Sequence, residues 1–318
     1  MRVDRFLASR LPGASRAIVK RLFSEGAVIV AGKPRAKGDP VRRGEVVEVF
    51  APEPLDRADW PPAANPDLIV PLLHADEDLL VVDKPAGMPC HPLRPVERGT
   101  VANALVARFP ELARAGDVAR EAGLVHRLDT VTSGVLVFAW RRESFEDLVT
   151  QIRLGGSLKV YLALVEGDAS GISRRLEYPL VSRGRRVVAL TDGRDHDEAQ
   201  TATTVVEPVE VLGDATLVEA RIRAGRRHQI RAHLAAAGHP IVGDVLYGAG
   251  ATDLVERPFL HAHRIALASP SRGTPLQVEA PLPADLASAI EASRHGQTRR
   301  VDDDSAPGRD PRRTGDDA

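Results

Sequence analysis

The residues of this chain whose types and spacing suit chemistry gather in His126-Arg127-Leu128-Asp129-Thr130-Val131-Thr132-Ser133-Gly134. An aspartate stands there between a basic pair and a run of small hydroxylated residues that ends in glycine. The apolar run Val135-Leu136-Val137-Phe138-Ala139 follows at once, and its length and β-branching predict a buried strand. Asp129 then stands on a tight loop feeding a rigid sheet, an arrangement that holds a reactive side chain still. A lone Asp-Thr near a glycine also reads as an Asx-type turn, with Gly134 supplying an unusual backbone angle. The nine-residue string is more particular than such a turn requires.

Three further constellations carry polar chemistry. Gly225-Arg226-Arg227-His228-Gln229-Ile230-Arg231-Ala232-His233-Leu234 is a basic stretch entering a helix, and by itself it suits phosphate contacts. Lys159-Val160-Tyr161-Leu162-Ala163-Leu164-Val165-Glu166-Gly167 places a tyrosine on a strand, where tyrosine is more often core with its hydroxyl satisfied at an edge. The chain has only three tyrosines, which gives the position more weight. His261 and His263 share one face of a strand and with a third ligand would hold a metal. No matched acid or cysteine spacing accompanies them, so the pair is expected to be structural and no metal site is expected.

The nine-residue string resembles the central motif of the RluA-type pseudouridine synthases, His-Arg-Leu-Asp-x-x-Thr-Ser-Gly, and meets every fixed position of it. The resemblance implies that Asp129 is the catalytic carboxylate, acting on a uridine in RNA. The stretch at 225–233 is similar to the family's Gly-Arg-x-His-Gln-Ile-Arg-x-His block, which implies that Arg231 pairs with the aspartate. Arg227 stands where the family usually has Thr or Ser, a departure that bears on loop geometry and RNA contacts. The stretch at 159–167 resembles Lys-x-Tyr-x-Ala-x-Val-x-Gly, which implies that Tyr161 stacks on the uracil and that its hydroxyl helps to remove the C5 proton. By the same resemblance Arg127 fills the place of an extruded base, an extrusion that costs a few kcal/mol. His126 is expected to brace rather than to act as a base, and Tyr247 to be structural. Arg226, Arg227 and His228 are expected to contact RNA.

The implied reaction breaks the C1′–N1 bond, turns the base and remakes the link at C5. Nothing enters or leaves formally, so no cofactor is expected. A carboxylate must stay ionised in a site closed to water, and an arginine partner offsets the penalty of that burial. Attack on C1′, elimination to a glycal and addition to C6 all use such a group, and the sequence does not choose among them.

The elements that must position these residues follow from composition and periodicity. At 318 residues, with 43% hydrophobic and 27% charged content, the chain suits a sizeable core and two folded units. No apolar run approaches the roughly 20 residues of a membrane helix. The single cysteine, Cys90, excludes an internal disulfide and a cysteine-based zinc cage. A cytoplasmic monomer is the expectation. The net charge of −1 averages unlike parts, because residues 1–50 hold eleven Lys or Arg against five acids. Val3, Phe6, Leu7 and Leu11 predict a helix stopped at Pro12-Gly13. Ser15 then caps a second helix that Gly26 ends, with Arg16 and Lys20 on its outer face. Short strands at 28–30 and 46–50 follow. This pattern resembles an S4 RNA-binding domain, which makes Arg16 and Lys20 candidate RNA contacts beside the plainer reading of a solvated basic face.

The expected fold is α+β: an S4-type domain over 1–50, a Pro-rich linker over 51–66, a catalytic domain over 67–293 and a polar, disordered tail over 294–318. The catalytic domain is expected to hold a mixed, mainly antiparallel sheet flanked by helices. It opens with two apolar strands around an acidic turn between 69 and 87, and Thr100 is expected to cap a helix. Strands are expected at 160–165, 187–190, 203–206, 216–223 and 265–267, with helices at 144–153 and 230–237. The partner implied is RNA, most readily large-subunit ribosomal RNA, with transfer RNA as the alternative. A non-catalytic RNA-binding protein on the same fold and a metal-dependent hydrolase are the rival readings.

Overall fold

The computed structural model describes residues 1–11, 16–24, 26–50, 60–191, 193 and 198–295, the side chains of 16–18 and 21 excepted. These residues form two compact units, one drawn from Met1–Pro61 and Val118–Arg120, the other from Pro62–Asp117 and Glu121–Ala318.

In the first unit, helices α1 (Val3–Arg10) and α2 (Arg16–Ser24) precede strands β1 (Val28–Val30), β2 (Lys33–Pro34) and β3 (Val47–Val49). The strands form an antiparallel sheet with β1 in the middle. Val3 and Leu7 lie one turn apart on α1 and Val19 and Leu22 on α2, and all four join Val28 and Val30 in one core. Gly26 ends α2 at φ +67°, a left-handed angle that a residue with a Cβ resists, and Ala27 N then donates to Leu22 O at 2.8 Å. Lys20 is exposed. The expected stop at Pro12-Gly13, the Ser15 cap and the Arg16 side chain lie outside the described residues.

The second unit begins with the hairpin β4 (Leu72–Ala75) and β5 (Leu79–Lys84), followed by α3 (Val101–Arg108). Thr100 caps α3 through a reciprocal pair with Asn103. Strand β6 (Ser133–Ala139), wholly buried, leads to α4 (Arg142–Arg153) and β7 (Leu158–Glu166). Then come β8 (Arg175–Leu176), β9 (Leu180–Arg183), β10 (Arg186–Ala189), β11 (Thr204–Leu212) and β12 (Ala215–Ile222). Helix α5 (Gln229–Ala236), β13 (Leu260–Ala268), β14 (Pro275–Glu279) and α6 (Ala284–Arg294) complete it.

The main sheet runs β4-β5-β6-β13-β7-β12-β11-β8, with β14 also paired to β13, while β9 and β10 form a separate hairpin. Every pairing is antiparallel except that of β6 with β13, which spans only His261↔Ser133 and Ala262↔Gly134. Gly134 is required at this seam. Its φ is +110°, and a Cβ there would stand 2.2 Å from Ala262 O.

The structure departs from the sequence reading in a few places. Residues 63–65, read as linker, belong to the second unit: Asn103 Nδ2 donates to Ala63 O at 2.7 Å and Arg98 Nη2 to Ala64 O at 2.9 Å. Residues 51–59 of that linker, and 296–318 of the tail, lie outside the described residues. Strand β11 runs beyond 206 through Pro208, which is tolerated because the register shifts there. Strands β8, β9 and β14 and helix α6 were not anticipated. The strands are short, and α6 is alanine-rich, so its apolar stripe is weak.

The hairpin turn is locked by Asp78, which is 1% exposed. It accepts from Ser144 Oγ (3.1 Å), Ser269 Oγ (3.0 Å) and Ser271 N and Oγ (2.8 and 2.6 Å). Burial alone would raise its pKa, but the hydrogen bonds from Ser271, Ser269 and Ser144 outweigh it and bring it down to about 2. A carboxylate depressed on folding stabilises above its unfolded pKa and loses that contribution as pH falls through the folded value. Asp78→Asn is therefore expected to cost roughly 2 kcal/mol at neutral pH, with the deficit closing between about pH 4 and pH 2. Urea melts across that range check it, and coincident wild-type and variant midpoints at pH 7 would refute it.

Candidate active site

Asp129 sits in the loop just before β6. Thr132 N donates to Asp129 O at 3.0 Å and tightens the loop into a turn. Lys84, at the end of neighbouring β5 and fully buried, donates to Thr130 O (3.1 Å), Pro85 O (2.8 Å) and Met88 O (2.8 Å). Burial lowers its pKa to about 8, and three carbonyls satisfy its three donors. Gly87 N adds a second donor to Thr130 O at 2.8 Å. Arg257, ion-paired to Asp285 of α6 at 2.8 Å, donates to Val131 O at 3.4 Å and Ser133 Oγ at 3.3 Å. The loop that follows Asp129 is thus tied down from two directions.

Arg231 faces the aspartate from the first turn of α5. Its Nη1 donates to Asp129 Oδ2 at 3.1 Å, while Nε and Nη2 donate to Asp244 at 2.7 and 2.8 Å. Arg231 is 6% and Asp244 1% exposed. Burial works against the guanidinium's charge, but Asp244 and then Asp129 overcome it, so its pKa rises further. The Tyr247 ring lies under the guanidinium, 5.0 Å from Cζ to the ring centre.

His228 precedes α5 in a left-handed conformation at φ +52°. Its Nδ1 lies 2.9 Å from Tyr247 Oη and its Nε2 3.8 Å from Asp129 Oδ1. Burial lowers its pKa against the pull of Asp129, so the ring is neutral near pH 7. Tyr247 Oη accepts from Val187 N at 2.9 Å, which leaves its own proton to be donated to His228 Nδ1. His228, expected to contact RNA, thus lies between the aspartate and the tyrosine.

Tyr161 lies at the centre of the sheet on β7, with Ala220 and Ala262 as its cross-strand partners. Burial, and then the charge of Asp129, push its hydroxyl pKa upward, so the phenol stays protonated. His126 is neutral as well: burial brings it down to about 3, and Val137 N donates to its Nε2 at 3.3 Å.

Asp129, Tyr161 and Arg231 line one open cleft of about 850 Å³. Arg127, Arg226, Arg227 and His228 line it too. Arg127, Arg226 and Arg227 are exposed, and Arg227 Nη2 donates to Gly184 O and Arg185 O at 2.9 and 2.6 Å, tying its loop to the β9–β10 hairpin. His261 is bound to Ser133 Oγ at 2.9 Å and His263 to Ala280 O at 3.0 Å. Among the described residues no group of three or more His, Cys, Asp or Glu is placed to hold a metal, and no helix is long and apolar enough to cross a membrane. Asp244, Lys84 and Arg257 were not identified from the sequence. Asp244 had a signal in Gly243-Asp244-Val245-Leu246-Tyr247-Gly248, read there only as a turn.

Fold and site together define an α+β protein whose larger unit carries a single arginine-clamped aspartate in a cleft richer in cations than in acids. The RNA pseudouridylate synthase family profile matches residues 78–236, and the S4 domain profile matches residues 1–47. An uncharacterized RNA pseudouridine synthase of Chloroflexus aurantiacus is 39% identical over 289 residues, covering 90% of this chain and 87% of that protein. The ribosomal large subunit pseudouridine synthase D of Xanthomonas campestris is 34% identical over 316 residues, covering 95% and 91%. Human RNA pseudouridylate synthase domain containing 4 shares the fold, with a TM-score of 0.57 at 23% identity over 70% of this chain and 93% of that one. The chain belongs to the RNA pseudouridine synthases, with an S4 domain at its N-terminus.

Arg231→Lys keeps a charge but loses the planar fork that serves two carboxylates. It is expected to lower kcat by roughly 10²-fold, the scale of losing one preorganised electrostatic contact. Single-turnover assays at saturating RNA measure this, and a lysine variant with wild-type turnover would remove Arg231 from the site.

Proposed function

We propose that this enzyme converts uridine to pseudouridine in structured large-subunit ribosomal RNA, with Asp129 as the reacting carboxylate and without a cofactor. The ion pair of Asp129 with Arg231, itself anchored by Asp244, carries this reading. A carboxylate fixed at a cleft wall by a guanidinium is what every route from the C1′–N1 bond to the C1′–C5 bond requires. The atoms balance within the substrate: N1 gains a proton and C5 loses one. The relative in Xanthomonas named for the large ribosomal subunit spans nearly the whole of both chains, and this supports the choice of RNA.

Each remaining group has a part in this reading. Arg127, exposed beside Asp129, takes the stack position of the extruded uridine, its flat guanidinium standing in for the base. Tyr161 offers its ring to the uracil, and its oxygen takes the C5 proton while passing its own proton to the Asp129 carboxylate, whose charge it senses. Lys20 and Arg16 of the S4 domain, and Arg226 and Arg227, supply phosphate contacts.

Asp129→Asn is expected to abolish product while leaving RNA affinity within about twofold, because neutralising the aspartate removes no cation from the phosphate contacts. Filter binding and nucleoside analysis of treated RNA check both halves, and retained turnover would defeat the assignment. Mapping pseudouridine in ribosomal and transfer RNA with and without the gene tests the substrate. A site lost from large-subunit RNA is the expected result, and one lost only from transfer RNA would overturn it.

A further inference from the structure

The cleft holds a cation with no part in the chemistry described so far. Lys159 lies on β7 two residues before Tyr161, so both side chains leave the strand on the same face, and both line the cleft. Lys159 is only 5% exposed. Among the described residues no carboxylate pairs with its ammonium and no oxygen accepts from it. Lys84 shows what a buried ammonium ordinarily has in this fold, namely three carbonyls around Nζ. Lys159 has none of these, and burial alone acts on it, bringing its pKa down to about 8.

Two neighbours show what is missing. His126 accepts Val137 N–H at Nε2, so its neutral ring carries the proton on Nδ1, and that buried nitrogen has no acceptor. Gly225 stands where a Cβ would come 3.5 Å from Lys159 Nζ. Its backbone angle is not among the left-handed ones, so the turn itself does not require glycine. The missing side chain leaves the approach to the ammonium open. An ammonium at the cleft wall without an acceptor, approached past a glycine, calls for an oxygen anion from outside the protein.

We propose that Lys159 forms a phosphate subsite, its ammonium taking a non-bridging oxygen of a phosphodiester that flanks the nucleotide in the cleft and reaches it across Gly225. This rests on reading the cleft as the uridine site. RNA brings one full negative charge per nucleotide, and a desolvated ammonium with three unused donors gains more from that charge than from a neutral base oxygen.

The test uses the full chain and in-vitro transcribed, unmodified large-subunit ribosomal RNA. Lys159→Met keeps the length and apolar stem of the side chain, Lys159→Arg keeps its charge, and Gly225→Ala narrows the approach. Lys159→Met is expected to weaken binding about tenfold and to flatten the plot of log affinity against log salt by about 0.7–0.9, the share of one phosphate contact. The kinetic loss then falls on KM rather than kcat, the arginine variant recovers most of the affinity, and Gly225→Ala moves in the same direction by less. An unchanged salt slope in Lys159→Met overturns the subsite. A loss confined to kcat, with an altered pH profile, overturns it in favour of proton transfer. Binding is read separately from product, so wild-type protein that binds but forms no pseudouridine defeats the functional reading and leaves the subsite result standing.

Discussion

The structure depends on one guanidinium shared between two carboxylates. A planar arginine fork can give its Nε and Nη2 edge to one partner and still present Nη1 to another. Asp244 takes the edge and Asp129 the remaining donor, so the orientation of Asp129 is inherited from a residue that does not line the cleft. Removing one partner of a buried ion pair costs on the order of 3–5 kcal/mol, far more than an exposed pair contributes. The clamp is therefore strong enough to fix the aspartate and buried enough not to be exchanged for water. Tyr247 closes it from below, packing against Arg231 while its hydroxyl holds His228.

The two carboxylates' shared partner also joins distant parts of the chain. Asp129 hangs from β6, whereas Tyr161 and Arg231 come from β7 and from the helix after β12. Strands β6 and β13 meet along a parallel pairing of two register positions, and Gly134 brings the backbones together there. Asp129 and its partner thus lie 102 residues apart in sequence and approach each other beside one of the two shortest joints of the sheet. Contacts of such separation form late, after the loop entropy between them has been overcome.

Much of this was legible in the chain itself. The string around Asp129 and the block around Arg231 are local and dense, and they announce a carboxylate and its guanidinium partner without any knowledge of the sheet. Long apolar strands and the Thr100 cap were also visible, because periodicity and capping are local properties. Asp244, Lys84, Asp78 and Arg257 were not. Lys84, Asp78 and Arg257 act through carbonyls or hydroxyls drawn in part from remote segments and Asp244 through the guanidinium of Arg231, and an isolated acid or base in a sequence does not reveal which group it will meet. The short β8 and β14 and the alanine-rich α6 escaped for a different reason, since pairing and burial in the finished fold stabilise them more than their own composition does. His228 and Arg227 also have ties within the protein that their charge does not reveal: one sits against the aspartate and the other joins its loop to the β9–β10 hairpin.

The pairing of Arg257 with Asp285 has a bearing on synthesis. Helix α6 is the last described element of the chain, yet through this arginine it secures the carbonyl of Val131 and the hydroxyl of Ser133. A nascent chain that has emerged only as far as β14 already contains every group of the cleft, and Arg257 with them, but not the carboxylate of Asp285 that holds this arginine. The brace on the Asp129 loop is therefore complete only once α6 has been made and has packed into the core through Leu286, Ala289 and Ile290.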